Sequence, residues 1–429
     1  MRKGIRFNQV ALAAGTVAFM SAGPAFASLE KTIPFSGKYG GEGGVTTSIV
    51  QGSQSLFFNP AGMAGSEGLE LTSNFSPSII EFGGPVTVAN VNNSTGSQFV
   101  PLGSMSAAYG ITKQWAVGLG FGTMGGSKAE FLGLPTPAGL DAFGVNYTPD
   151  YIANLAILEL NVGSAYEILP GLKIGADWRI SFLNGKYVIP KLYPTGFGEI
   201  AIDDIKKTQY NGFRFGAQYT SEDKRWGLGA SMRTPLDITG KGTSSGKMQA
   251  FGGGAVTDVS GGGDTYVSLS LPTRIQVGGN LAPADHWMLA SDVIWTEYHR
   301  DQYLSVSGQL PTGLSAFETN LGWKNNWSFR LGGEYTGIES WALRAGYNLT
   351  TPDLPAEHAT AGNAPPGLAH GVTVGAGKSL LGNALSVDGA FEYSWASGSV
   401  TAEQAISPTV PGDFSAHVIS FHLGATYHL

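Results

Sequence analysis

The chain contains no cysteine, and charged residues make up only 13% of its 429 positions. The first absence excludes a disulfide framework, thiolate metal sites and a lipidated cysteine anchor. The second sets the chain well below the roughly 25% charge of an ordinary soluble domain. No clean apolar run of bilayer length is present either. The nearest, residues 151–166, is broken by Asn154, Glu159 and Asn161, and a mean hydropathy of +0.02 excludes a polytopic helical membrane protein. Motifs for chemistry are scarce. There is no HExxH pair and no nucleophile elbow. Gly120 to Gly125 fits GxGxxG, but no crossover helix follows, and 63 glycines make chance matches common. His422 and His428 share an inward strand face but lie too far apart for one metal. Neither a metal nor a cofactor is expected, and the chain does not read as an enzyme.

The first 27 residues have the layout of a secretory signal. Arg2, Lys3 and Arg6 form a basic start, Val10 to Met20 is an apolar run too short to span a bilayer, and Ala25-Phe26-Ala27 is a small-x-small cleavage site. Removing those three basic residues leaves 22 Lys and Arg against 32 Asp and Glu, a net charge of −10. That balance argues against a nucleic-acid partner.

From residue 69 onward the recurring signal is apolar alternation with period two, which marks strands. Ile419, Phe421, Leu423, Ala425, Tyr427 and Leu429 share one face, and Ser420, His422, Gly424, Thr426 and His428 share the other. Val267, Leu269, Leu271, Ile275 and Val277 read as one continuous outward face, as do Trp327, Phe329, Leu331 and Tyr335. Short links recur at 167–171, 220–225, 282–286, 336–340 and 380–383. Long ones fall near 83–98, 125–150, 189–209, 239–264, 301–325, 351–370 and 397–415. Tight turns at one end and long loops at the other are the habit of an up-and-down transmembrane barrel, and the count comes to about 14 antiparallel strands. Aromatic residues agree. Trp115, Trp226, Trp287 and Trp341 follow short turns, while Tyr109, Tyr166, Tyr219, Tyr335 and Tyr427 precede a short turn or the chain end. All carry outward parity, as an interfacial girdle requires.

These residues also carry a family resemblance. Gly40-Gly41-Glu42-Gly43-Gly44 followed by Phe58-Asn59-Pro60-Ala61-Gly62, Ser231-Met232-Arg233-Thr234-Pro235, Leu271-Pro272-Thr273, Asn326 to Gly332 and Trp341 to Gly346 together resemble the FadL/TodX outer-membrane transporters of long-chain fatty acids and other hydrophobic compounds. The resemblance runs over essentially the whole mature chain. It implies an outer-membrane, all-β barrel at 69–429, a monomer inserted by the barrel-assembly machinery among outer-membrane lipids. It implies passive uptake of a hydrophobic small molecule. It also implies an N-terminal hatch at 28–68 inside the lumen, with Asn59, Pro60, Ala61 and Gly62 as its motif. A kinked third strand, here Trp115 to Met124, would open the wall for lateral exit, with Gly118, Gly120, Phe121 and Gly122 at the gap.

Arg179, Arg214, Arg233, Arg274, Arg330 and Arg344 have lumen parity, as do Asp177, Asp292, Glu334, Asp388 and Glu392. They read either as a path for a carboxylate or as paired ions filling the barrel. Phe182 and Thr319 stand near where fatty-acid transporters of this family hold a basic pair, which raises an aromatic or alkane hydrocarbon as the alternative to the long-chain fatty acid that the resemblance implies first. A general hydrophilic porin would need an open lumen. A lipid hydrolase would need a Ser–His pair on outward faces, and none is seen.

Overall fold

The computed structural model describes residues 36–300 and 302–429, so the expected signal sequence at 1–27 and the first part of the expected 28–68 hatch lie outside the described residues. Among the described residues, fourteen antiparallel strands form a closed wall. They are β1 (Leu69–Gly84), β2 (Gln98–Gly110), β3 (Trp115–Phe131), β4 (Tyr151–Leu169), β5 (Leu172–Tyr193) and β6 (Gly196–Thr220). Next come β7 (Trp226–Arg233, then Leu236–Ala250), β8 (Asp264–Leu271, then Arg274–Ala284), β9 (Trp287–Thr296, then Tyr303–Gly308) and β10 (Phe317–Asn320, then Asn326–Ile338). The last four are β11 (Trp341–Thr350), β12 (Ala369–Leu380), β13 (Leu385–Val400) and β14 (Gly412–His428). β14 pairs back onto β1, with Leu71 opposite Tyr427, which closes the barrel. Closure leaves neither the first nor the last strand as a free sheet edge.

The wall has two zones. On the short-turn side, apolar residues such as Leu423, Val374 and Leu331 point outward and are exposed, and the tryptophans and tyrosines beside the turns are exposed or half-exposed. Trp287 and Tyr335, and Tyr219 and Trp226, pack ring against ring there, at 4.7 and 5.3 Å between centroids. On the long-loop side the pattern inverts. Leu236 and Ile238 of β7 are buried inside, while Asp237, Thr239 and Lys241 are exposed outside. Leu269, Ile200, Leu304 and Phe131 join them in one large apolar cluster within the barrel. Polar-outside, apolar-inside is the pattern of a sheet in water, so this zone stands beyond the bilayer.

The inversion corrects two expectations. Val267, Leu269 and Leu271 face inward, whereas Ile275 and Val277 face outward. The apolar parity runs on unbroken in sequence, but a two-residue interruption flips the pleat. In β7, Arg233 and Leu236 both face in although they are three apart, where a regular pleat demands an even step. Pro235 and Pro272 sit in the facing interruptions of β7 and β8, and proline cannot donate to the ladder. Secondly, 189–209 is no loop. β5 and β6 run on through it to a hairpin at Pro194-Thr195. Its inward apolar residues, Ile200 and Ile202, are those of a strand above the membrane.

Candidate functional site

Residues 36–68 pack against the inward face of the wall. The segment opens with a short helix, α1 (Gly37–Gly41), capped by Ser36, and continues in two turns of 3₁₀ helix. Asn59 caps the second, accepting from the Ala61 amide at 3.3 Å. Its side-chain amide donates to the carbonyls of Thr47 at 2.7 Å, Ala217 at 3.1 Å and Ala230 at 3.3 Å, tying the segment to β6 and β7. Pro60, Ala61 and Gly62 follow and are buried. A Cβ on Gly62 would stand 2.1 Å from the Val50 carbonyl oxygen.

The wall makes room for this segment with inward glycines. A Cβ on Gly216 would meet Asn59, one on Gly332 the Glu42 carbonyl, and one on Gly346 the backbone of Gly43, each within 2.2 Å. Gly118 and Gly120 belong to the same set. Their missing side chains are replaced by Leu56, Phe57 and Met63, with Phe57 Cζ 2.8 Å from the position of a Gly120 Cβ. The expectation that Gly118 and Gly120 stand at the gap is therefore corrected. β3 is fully paired along them, with Gly118 opposite Ala108 of β2 and Gly163 of β4. Phe121 follows them on the exposed outward face.

The wall loosens just beyond. Pairing of β2 with β3 ends at Ser104 opposite Gly122. β2 stays paired to β1 as far as Gln98, and β3 runs on beside β4 to Phe131 after a register shift at Met124. Residues 98–103 and 123–131 thus face each other across an unpaired seam. Six residues of strand make it roughly 20 Å long at ~3.3 Å per residue. Two side-chain bonds cross it, Lys128 Nζ to the Phe99 carbonyl at 3.3 Å and Gln98 Nε2 to the Glu130 carbonyl at 3.2 Å.

A cavity of about 1000 Å³ lies against this seam, at the top of the size range of small-molecule sites. Val100, Pro101 and Leu102 of β2 and Thr123 and Gly125 to Lys128 of β3 border it on one side. Ile80, Phe82, Leu155 and Leu158 give it apolar surface, and Asn326, Asn348, Asp353 and Glu392 line the far wall. Of these, Glu392 is bonded to His422 at 2.9 Å, and His422 in turn to Ser76 at 2.9 Å, with all three buried.

None of the six inward arginines lines the cavity. Arg179 pairs with Glu159, Arg214 with Asp177 at 3.1 Å, and Arg344 with Glu334 and Asp388 at 2.7 Å each and Glu42 at 3.2 Å. Arg330 donates to the Gly44 carbonyl at 2.6 Å, and Arg233 to the Pro272 carbonyl at 3.2 Å. The last bond satisfies a group freed by a strand interruption. Arg274 is half-buried between these layers. Thr319 is buried and Phe182 half-buried, and neither borders the cavity. Sequence reasoning missed the seam and the residues Asn348 and Asp353. The available signal was proline in strand. Pro77 and Pro101 stand opposite one another in β1 and β2, and neither can donate to a ladder.

Comparisons agree with this geometry. Residues 38–429 match the family model of the outer membrane protein transport proteins OMPP1/FadL/TodX. No curated protein sequence matches the chain. Among solved structures, a FadL homologue of Pseudomonas aeruginosa superposes with a TM-score of 0.72 at 18% identity, covering 93% of this chain and 99% of that one. The toluene transporter TodX of Pseudomonas putida gives 0.72 at 15% identity, covering 94% and 99%. The toluene transporter TbuX of Ralstonia pickettii gives 0.70 at 16%, covering 94% and 100%. With a fourteen-strand wall, lipid-facing aromatics and a family match over nearly its whole length, the chain belongs to the OMPP1/FadL/TodX family of outer-membrane transport proteins.

Proposed function

We propose that this outer-membrane transporter takes a hydrophobic small molecule into the cavity and releases it sideways through the seam between β2 and β3. The observation that carries the reading is the seam itself, bordered by the cavity on its inner side. Unpaired backbone facing lipid is costly, and it is tolerable where it lines a cavity. An apolar solute gains nothing from a watery axial pore, whereas a side exit keeps its surface covered. Residues 28–68 act as a hatch that closes the axis, held by Asn59, Pro60, Ala61 and Gly62. The barrel works as a monomer, without a cofactor. The fatty-acid carboxylate is the weaker candidate among cargoes, because the inward arginines are spent on carboxylates and carbonyls and none borders the cavity.

The test uses the absence of native cysteine. Leu102→Cys with Met124→Cys, joined by a short bis-maleimide, staples the seam shut. Uptake of a hydrophobic probe should fall at least tenfold against either single variant treated alike, at equal surface expression. Uptake unchanged by the staple would overturn lateral release at this seam.

A further inference from the structure

The far wall of the cavity holds polar atoms that the fold leaves unsatisfied. Asn326 Oδ1 on β10, Asn348 Nδ2 on β11 and Asp353 Oδ1 in the 351–368 loop have no hydrogen-bond partner. Their residues are 7%, 1% and 4% exposed, and all three line the cavity. The backbone holds Asp353 beside the start of β10. The Lys324 amide donates to the Asp353 carbonyl at 2.8 Å, and the Thr351 amide to the Trp327 carbonyl at 2.9 Å. A buried polar atom without a partner costs about 1–3 kcal/mol, so three on one cavity wall point to something that meets them.

The sign of the wall narrows what that is. Two of the three atoms are acceptors. Glu392, which binds Ser394 at 2.7 Å and His422 at 2.9 Å, adds a second carboxyl to the same side. No lysine or arginine lines this wall. The cavity's two lysines stand at the opposite side and are engaged, Lys186 with Asp203 at 2.9 Å and Lys128 with the Phe99 carbonyl. An anionic head group would meet acidic neighbours and no available cation. A bare hydrocarbon would leave the acceptors dry and unpaired.

Building on the transport reading above, we infer that the cargo is a neutral amphipathic molecule whose head group donates a hydrogen bond, the chemistry of an alcohol or a phenol. The hydroxyl donates its one hydrogen to either Asn326 Oδ1 or Asp353 Oδ1 and accepts from the Asn348 amide, and the apolar body lies along Ile80, Phe82, Leu155 and Leu158.

The experiment measures binding of three chain-matched probes, 1-dodecanol, dodecanoate and dodecane, to the full-length protein in lipid nanodiscs at pH 8, corrected for partition into the lipid. Dodecanol should bind at least tenfold more tightly than either of the others. In Asn326→Leu, shown to be folded by its heat-modifiable mobility, the dodecanol-to-dodecane affinity ratio should drop about tenfold. The wild-type comparison decides even if that variant does not fold. Dodecanoate or dodecane binding as tightly as dodecanol would overturn the inference while leaving the transport reading standing. Failure of all three to bind would overturn the transport reading itself.

Discussion

Single residues show how far strand parity can be trusted. All six arginines read as inward do face in, because parity survives wherever the ladder is regular. Asp177, Glu334 and Asp388, which pair with Arg214 and Arg344, were legible as inward carboxylates by the same parity, but the partners outside the wall were not. Glu42, Leu56 and Gly44 belong to the N-terminal segment, which shows no period, and meet Arg344, Arg214 and Arg330 only through the closed barrel. The glycines of β3 were legible as a stripe but not in meaning. An inward glycine marks close approach by another backbone or side chain as readily as weakness, and only the position of Phe57 decides between them. The prediction at this scale is that Gly120→Val does not heal the seam. Its added Cβ would crowd Phe57 at 2.8 Å, so the N-terminal segment should shift away from the wall. Limited trypsin digestion should then cut at Lys38 in the variant and spare it in the wild type, while the barrel keeps its heat-modifiable mobility. Equal resistance in both would show that the segment does not rest on this glycine.

Among the elements, the strand interruptions explain most of what the sequence concealed. Apolar alternation reports which residues share a parity, but it reports a face only while the pleat is unbroken. The interruptions at 234–235 and 272–273 flip the pleat where the wall leaves the bilayer. Apolar residues of constant parity therefore serve lipid below and the interior above. The same flip hid the extensions of β5 and β6, whose polar outward residues, such as Asp204 and Lys206, look like loop.

The 351–368 loop carries the pH prediction. Burial pushes the Asp353 carboxyl up to about 6 from its ordinary 3.8. The raised value means that the protonated form favours the seated loop. That contribution is full below about pH 4 and is lost as pH rises through about 6, and it is worth at most about 3 kcal/mol. His358 in the same loop is pushed down by burial, so its contribution grows with rising pH and opposes that of Asp353. Lys324 and Glu357 pair with each other at 3.7 Å nearby. Asp353→Asn isolates the carboxyl. Hydrogen exchange across 351–368, corrected for intrinsic rates, should be faster in the wild type than in Asp353→Asn at pH 7.5. The two should converge near pH 4.5. A difference independent of pH would refute the assignment.

For the whole molecule, the sequence made the class legible, since fourteen strands, alternating link lengths and outward aromatics are properties of the chain as a series. The place of the seam was not legible, because it exists only where β2 and β3 fail to pair after each has paired on its other side. What separates this account from a hydrophilic porin is the barrel axis. In the account it is filled by residues 36–68, bound to the wall through Asn59, Arg330 and Arg344. The most direct measurement is the steady ion conductance of the purified protein in planar lipid bilayers, wild type against a form lacking residues 28–68. The account predicts no sustained open-pore current for the wild type and large stable steps for the deletion form, whose wall begins at Leu69. Large, stable steps from the wild type would contradict it, since ions would then be crossing an axis that the account holds closed.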